Sequence, residues 1–443
     1  MLRRTFLQAA APAVWAQGLA KDLARALEAM PLGDTHEHFW PEAERNSKPL
    51  DVFTLIGHYV IDDAISAGLG GEDLTLVRNP DAPLRRRWQA FEPYWREIRF
   101  GGYAEALRIA ARDLYGVEEI HAGNVERFNA ALAEKNRPGW YQTVLRERAR
   151  IEFCVLDSYW ITWPDPPDPD YYRQAWRFDR YFQLRSRQDL ADIEKFSGVS
   201  VTDLRSLKSA MEKQLTKRLA RGLCAVKLAT AYHRRLRFEA VPEAEAERSF
   251  AALARLPLGD VPARGSFQPL EDHLLHHLAG LLEASGKPIQ VHTGMQAGAR
   301  VQLDDTDPEH LTNLFRRFPR LRFDLFHIGL PFHHKAMALA KSYPNVWVDF
   351  CWTWMISPSL GRATLSQMLE AVPVNKILAF GGDSNFPEIA YAHAQMARRA
   401  VAVVLAEKVA ERWCSEAEAL EIARSLLLRN AERLFPGPGV SRR

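Results

Sequence analysis

The sequence predicts an α/β fold, a (β/α)8 TIM barrel with a large helical insertion after its first strand. Three observations predict it. From residue 150 onward, short apolar runs alternate with amphipathic helical stretches. Eight strand-like runs can be found, the number a closed parallel barrel needs. Several of these runs end in a polar residue of metal-ligand type, as strands do when their C-termini meet at one rim.

The first strand is "GDTHEHF" (33–39), after a short apolar approach. Alternation with a period of two places His36 and His38 on one face, with Asp34 beside them. The next strands are "IEFCVLD" (151–157), a weak one near 177–183, and "CAVKLAT" (224–230). "PIQVHTG" (288–294), "LRFDLFHIG" (321–329), "NVWVDFCW" (345–352) and "KILAFGGD" (376–383) complete the set. Helical periodicity fills about 269–285, 307–317, 333–342, 357–371, 387–411 and 415–430. Residues 41–149 are too long for a minimal crossover. Rich in Trp, Tyr, Phe and Arg with helical periodicity, they leave from the C-terminal end of strand one. That face carries the active site in barrel enzymes, so the insertion reads as a lid or substrate wall.

Acidic and basic residues nearly balance, 55 against 58, and are interleaved, which excludes a nucleic-acid footprint. The runs Arg85–Arg87 and Arg234–Arg235 read as solvated faces. Cys154, Cys224, Cys351 and Cys414 match no zinc ribbon or redox spacing and read as small buried hydrophobes. No run of 18 apolar residues marks a membrane span. Residues 1–16, "MLRRTFLQAAAPAVWA", have the charged, apolar and small-residue regions of a signal peptide. Their Arg-Arg-x-Phe-Leu pattern resembles a twin-arginine export signal. The expectation is a periplasmic chain of residues 17–443, or a cytoplasmic one if the signal is not used.

His36 and His38 need partners to form a metal site, and strand ends supply them. His292 ends "PIQVH", His327 ends "FDLFH" and Asp383 ends "ILAFGGD", so all five can converge at the barrel mouth. This layout resembles the amidohydrolase superfamily, and the closing "RNAERLF" (429–435) resembles the end of those barrels. "IGHYVIDD", "IQVHTGMQ", "VDFCWTW" and "FGGDSN" narrow the resemblance to the uronate isomerase branch. The sequence departs from that branch at Asn385, where the family has an arginine that helps hold the substrate carboxylate. It also has His327, as hydrolase and decarboxylase relatives do.

The expected metal ligands are His36, His38 and Asp383, with His292 as the fourth. This mixed nitrogen and oxygen set suits zinc, or manganese or iron. The resemblance implies that Asp383 is both ligand and base. His327, His58 and Tyr59 are the further catalytic candidates. Lys227 alternates into the barrel, where it is either an ammonium for a substrate anion or a carbamylated bridge between two metals. With Arg235, Asn385 and Trp352 it makes the expected substrate-binding set. The leading expectation is a hydrolase using a metal-activated water on a small polar or carboxylated molecule. The alternatives are a sugar-acid isomerase or metal-dependent lyase or decarboxylase, and a non-catalytic binding barrel. A small molecule is the expected partner, and homo-oligomerisation is left open.

Overall fold

The computed structural model describes residues 18–157, 168–298 and 302–437, so the proposed signal segment lies outside the described residues. Eight parallel strands follow one another in sequence order. They are β1 (Leu32–Glu37), β2 (Ile151–Asp157), β3 (Tyr172–Arg177), β4 (Ala225–Leu228), β5 (Ile289–Val291), β6 (Phe323–Leu325), β7 (Val346–Asp349) and β8 (Ile377–Leu378). The Thr35 amide donates to the Phe380 carbonyl (3.2 Å), Asp383 to His36 (2.8 Å) and His38 to Ser384 (2.9 Å), joining the last strand to the first. The sheet is thereby closed into a (β/α)8 barrel.

The expected helices after β4 are present, including Gln268–Ser285, His333–Ser342, Pro358–Ala371 and Pro387–Ala410. The last expected helix is divided into Glu416–Arg424, a wider π turn at Ser425–Arg429, and Asn430–Leu434. Residues 41–149 fold into a run of helices between β1 and β2. Their apolar faces join the main core through Phe53, Trp88, Phe91, Leu107 and Phe128.

Three expectations are corrected. The third strand is Tyr172–Arg177, and the expected run 177–183 instead holds a 3-10 turn at Asp179–Tyr181. Phe178, Tyr181 and Phe182 are buried there, so their apolar character reflects turn packing and not a strand. Asp34 does not join the histidines. Its carboxylate accepts from the Gly382 (3.1 Å) and His36 (3.2 Å) amides and from Cys154 Sγ (3.8 Å), just before a register irregularity between Asp34 and Glu37. The arginine runs are not wholly solvated. Arg87 is buried against Asp51, and Arg234 binds Glu271 (2.8 Å) and Asp272 (2.6 Å). The four cysteines are free, and all but Cys414 are buried.

Candidate metal centre and substrate cavity

The rim residues come together through strands that end at one face. In each of four imidazoles one ring nitrogen faces a fixed oxygen. His36 Nδ1 lies 3.3 Å from Gln290 Oε1, and His38 Nδ1 lies 2.8 Å from the Asp157 carbonyl. His292 Nε2 lies 2.8 Å from the Met295 carbonyl, and His327 Nδ1 lies 2.9 Å from the Cys351 carbonyl. A carbonyl oxygen only accepts, so these partners assign the ring proton and leave a lone pair on the other nitrogen of each neutral ring. Those lone pairs converge. His38 Nε2 is 3.1 Å from Asp383 Oδ1, and His36 Nε2 is 3.8 Å from the same oxygen. His327 Nε2 faces His292 Nδ1 at 3.1 Å and Asp383 Oδ2 at 3.8 Å.

Acceptors facing acceptors in a dry site require a cation or proton between them. His36, His38 and Asp383 each place a ligand atom within 4.8 Å of the other two, and His36 Nε2 is buried with no hydrogen-bond partner. His327 and Cys351 form a second such group with Asp383. The donor set therefore fits a divalent cation, and the oxygen held by each imidazole's other nitrogen orients its ring, as in metal centres generally. His292 is not in the tight triad. It stands one ring away, against His327.

Electrostatics agree with that chemistry. Burial pushes the His36 and His292 imidazoles well below their ordinary range, and holds His327 and His58 at about 4. Neutral rings are the ligating form. For Asp383, burial favours the neutral acid, but positive charge shared with the facing His38, His327 and His36, a proton or a cation between the acceptors, holds the carboxyl well below its usual range. Burial draws the Lys227 ammonium down to about 8. Its Nζ sits 3.4 Å from the centre of the Phe326 ring.

Four non-glycine site residues hold left-handed backbone: Tyr59 (φ 69°), His327 (φ 60°), Trp352 (φ 62°) and Asp383 (φ 53°). Such geometry costs of order 1–3 kcal/mol per residue and collects at functional sites. Gly382 shows why the loop after β8 needs glycine just before Asp383. A β-carbon there would overlap the Glu37 carboxylate, which accepts from the Ser384 amide (2.7 Å).

A cavity of about 440 Å³ opens beside the triad. Among the expected residues it is lined by His38, His292 and Asp383, by His58 and Tyr59 from the insertion, and by Lys227, Trp352 and Asn385. Tyr59 donates to the Asp383 main-chain oxygen (2.6 Å), and His58 Nε2 lies 3.4 Å from it, so both bear on the loop that carries the carboxylate. Tyr59 also stacks on Trp352, with ring centres 4.9 Å apart. Arg235 is not part of this lining. It is half exposed and paired with Asp304 and Asp305. The cavity instead receives Arg177, whose Nε donates to Asp157 (2.7 Å). Arg177 and Asp157 were both missed. Asp157 ends "IEFCVLD" as Asp383 ends its own run, and the same strand-end reasoning would have found it.

A model of the family described as Amidohydrolase matches residues 34–437. Over 194 residues the chain is 30% identical to protein fluG of Emericella nidulans, covering 42% of this chain and 22% of that protein. The chain thus spans about a fifth of that relative's length. The crystal structure of glucuronate isomerase from Caulobacter crescentus matches with a TM-score of 0.76 at 21% identity, covering 97% of this chain and 96% of that one. A protein provisionally described as a metal-dependent hydrolase, from Lactobacillus casei, matches with a TM-score of 0.66 at 18% identity, covering 93% and 97%. At these identities the structural likeness is one of fold.

Proposed function

The chain belongs to the amidohydrolase family, and from that premise we propose that it is a metal-dependent hydrolase of small carboxylated or otherwise polar molecules. The observation that carries the reading is the convergence of imidazole lone pairs on the Asp383 carboxylate, beside a cavity lined by Lys227 and Arg177. His36, His38 and Asp383 would hold the cation, with His327 facing the same carboxylate and His292 behind it. When bound, a divalent ion, zinc by this donor set or else manganese or iron, polarises a carbonyl and acidifies a water.

The chain's own groups do the rest. Asp383, kept anionic, accepts a proton at a carboxylate oxygen. His327 carries a lone pair at Nε2 and can take up or return a proton there. Lys227 and Arg177 hold a substrate anion by charge-assisted bonds, while Asn385 offers only neutral ones. Trp352 and Tyr59 form an aromatic wall that excludes water. Tyr59 and His58 act on the site through the Asp383 backbone, which makes them positioning residues.

Isomerisation or lysis of a sugar acid would need two proton-transfer groups flanking adjacent carbons. His58 and Tyr59 both bear on one backbone oxygen, so neither supplies such a group from the wall opposite Asp383. The test is an assay of the zinc-loaded protein on lactones, amides and esters beside glucuronate and galacturonate. Hydrolysis of a carboxylated member is expected. Isomerisation of either uronate with kcat/KM above about 10⁴ M⁻¹s⁻¹ overturns the reading.

A further inference from the structure

A second cavity of about 430 Å³ adjoins the first and shares Gly57, His58 and Asn385 with it. The remainder of its wall is largely insertion, with Phe53, Ile56, Ile61 and Val77 as apolar lining and Phe386 from the loop after β8. Of the charged groups on this wall, Arg87 and Asp51 are engaged with each other, while Arg78 lies on its exposed side. Arg87 donates to the Val77 carbonyl (3.0 Å), pairs with Asp51 and stacks on the Phe53 ring at 4.3 Å, and Asp51 also accepts from the Thr54 amide (2.8 Å). What this cavity offers an occupant is therefore chiefly apolar surface. At the shared boundary the Asn385 Oδ1 is buried with no hydrogen-bond partner, and a buried carbonyl oxygen calls for an N–H.

We infer that the second cavity is the subsite for an apolar half of the substrate. This rests on the hydrolase reading above. The substrate is then a two-part molecule. A carboxylated acyl half lies in the first cavity near Lys227 and Arg177. A secondary amide crosses the boundary with its N–H toward Asn385 Oδ1. An aryl or branched alkyl group on the nitrogen fills the pocket between Phe53, Ile61 and Phe386. In hydrolysis the C–N bond breaks and a C–O bond forms to water oxygen. The water's two protons are shared between the products, a dicarboxylic acid and an apolar primary amine. The insertion thus supplies the part of the site that sets which amine is accepted, while the barrel supplies the chemistry.

The test measures binding apart from turnover. N-benzylsuccinamate and N-methylsuccinamate are titrated calorimetrically into the metal-free full chain, and the benzyl ester of the same acid serves as the isostere without N–H. The benzyl amide should bind at least about tenfold tighter than the methyl amide, as burial of a phenyl ring requires. It should also bind more tightly than the ester. Ile61→Trp fills the pocket from within, and Pro80→Trp narrows it from its exposed rim without touching the core. Either should bring the benzyl-to-methyl ratio close to one. If Ile61→Trp does not fold, Pro80→Trp carries the test. A wild-type ratio near one, or a tenfold ratio that survives both substitutions, overturns the subsite. Ester binding equal to amide binding overturns the role of Asn385. A preserved tenfold ratio with no hydrolysis by zinc-loaded enzyme leaves the subsite standing and defeats the hydrolase reading alone.

Discussion

Glu388 anchors the insertion to the barrel, and its removal should loosen the wall of the site. Glu388 lies in the first turn of the helix Pro387–Ala410, just past the loop that carries Asp383. One carboxylate oxygen accepts from Arg45 Nη2 (2.5 Å), Tyr115 Oη (2.7 Å) and Trp140 Nε1 (2.7 Å), all from the insertion. Both side chains of the ion pair are wholly buried. Glu388→Ala leaves the Arg45 charge in the interior with two neutral neighbours, Asn136 (2.9 Å) and the face of the Tyr141 ring (5.9 Å to its centre). Stranding one partner of a buried pair costs about 3–5 kcal/mol. Two neutral donors also lose their acceptor, at about 1 kcal/mol each, and because the groups share one network the costs do not add in full. We expect a loss of about 4 kcal/mol, read from urea unfolding followed by tryptophan fluorescence. The double variant Arg45→Met with Glu388→Leu should lose less than Glu388→Ala alone, since it strands no charge. A Glu388→Ala loss under about 1 kcal/mol, or a double variant worse than the single, would refute the reasoning.

Other outcomes follow from the same geometry. Lys227 titrates at about 8, so its hold on a substrate anion is full below that pH and fades above it. The KM for a carboxylated substrate should climb through pH 8–9 in wild type, and Lys227→Met should show a high KM that no longer changes there. His393 is held neutral by burial, at about 3 against 6.5 unfolded. Its contribution to stability is whole above 6.5 and is lost as pH falls from 6.5 toward 3, by up to about 5 kcal/mol. His393→Leu should flatten that part of the stability–pH curve in acid-titrated urea melts, and an unchanged slope would contradict the assignment. Tyr59→Phe removes the donor to the Asp383 carbonyl and should cost about 1–3 kcal/mol of stability while lowering kcat more than it raises KM. Mass spectrometry of periplasmic protein should show a chain beginning near Gln17, and an intact N-terminus in a purely cytoplasmic fraction would exclude export.

How much was legible in the sequence depends on what kind of pattern each feature leaves. Strands such as "PIQVH" and "ILAFGGD" are apolar runs with a polar end, so both the barrel and the positions of His292 and Asp383 could be read. The third strand escaped because "YRQAWR" carries polar and charged residues along a barrel strand, while the apolar cluster that drew attention folds into a turn. Arg177 is the first residue of the expected run but the last of the actual strand, so it does not read as a strand-end group from sequence. The amide partners that engage Asp34, and the register irregularity that follows it, are backbone features with no residue signature. The left-handed conformations of His327, Trp352 and Asp383 are nearly as silent: Asp and His adopt positive φ more often than most residues, but far too rarely for the residue type to mark the position, and Trp gives no signal at all. The second cavity arises where the insertion meets the loop after β8, residues more than 300 apart in the chain, and no local pattern reports such a meeting.

The central claim is that His36, His38 and Asp383 hold a divalent cation. Its most direct test is the metal content of purified protein, measured by inductively coupled plasma mass spectrometry after dialysis against trace zinc. The account predicts at least about one ion per wild-type chain. It predicts less than about a tenth of that in His36→Ala with His38→Ala, with folding verified by circular dichroism. Full occupancy in the folded double variant would contradict it.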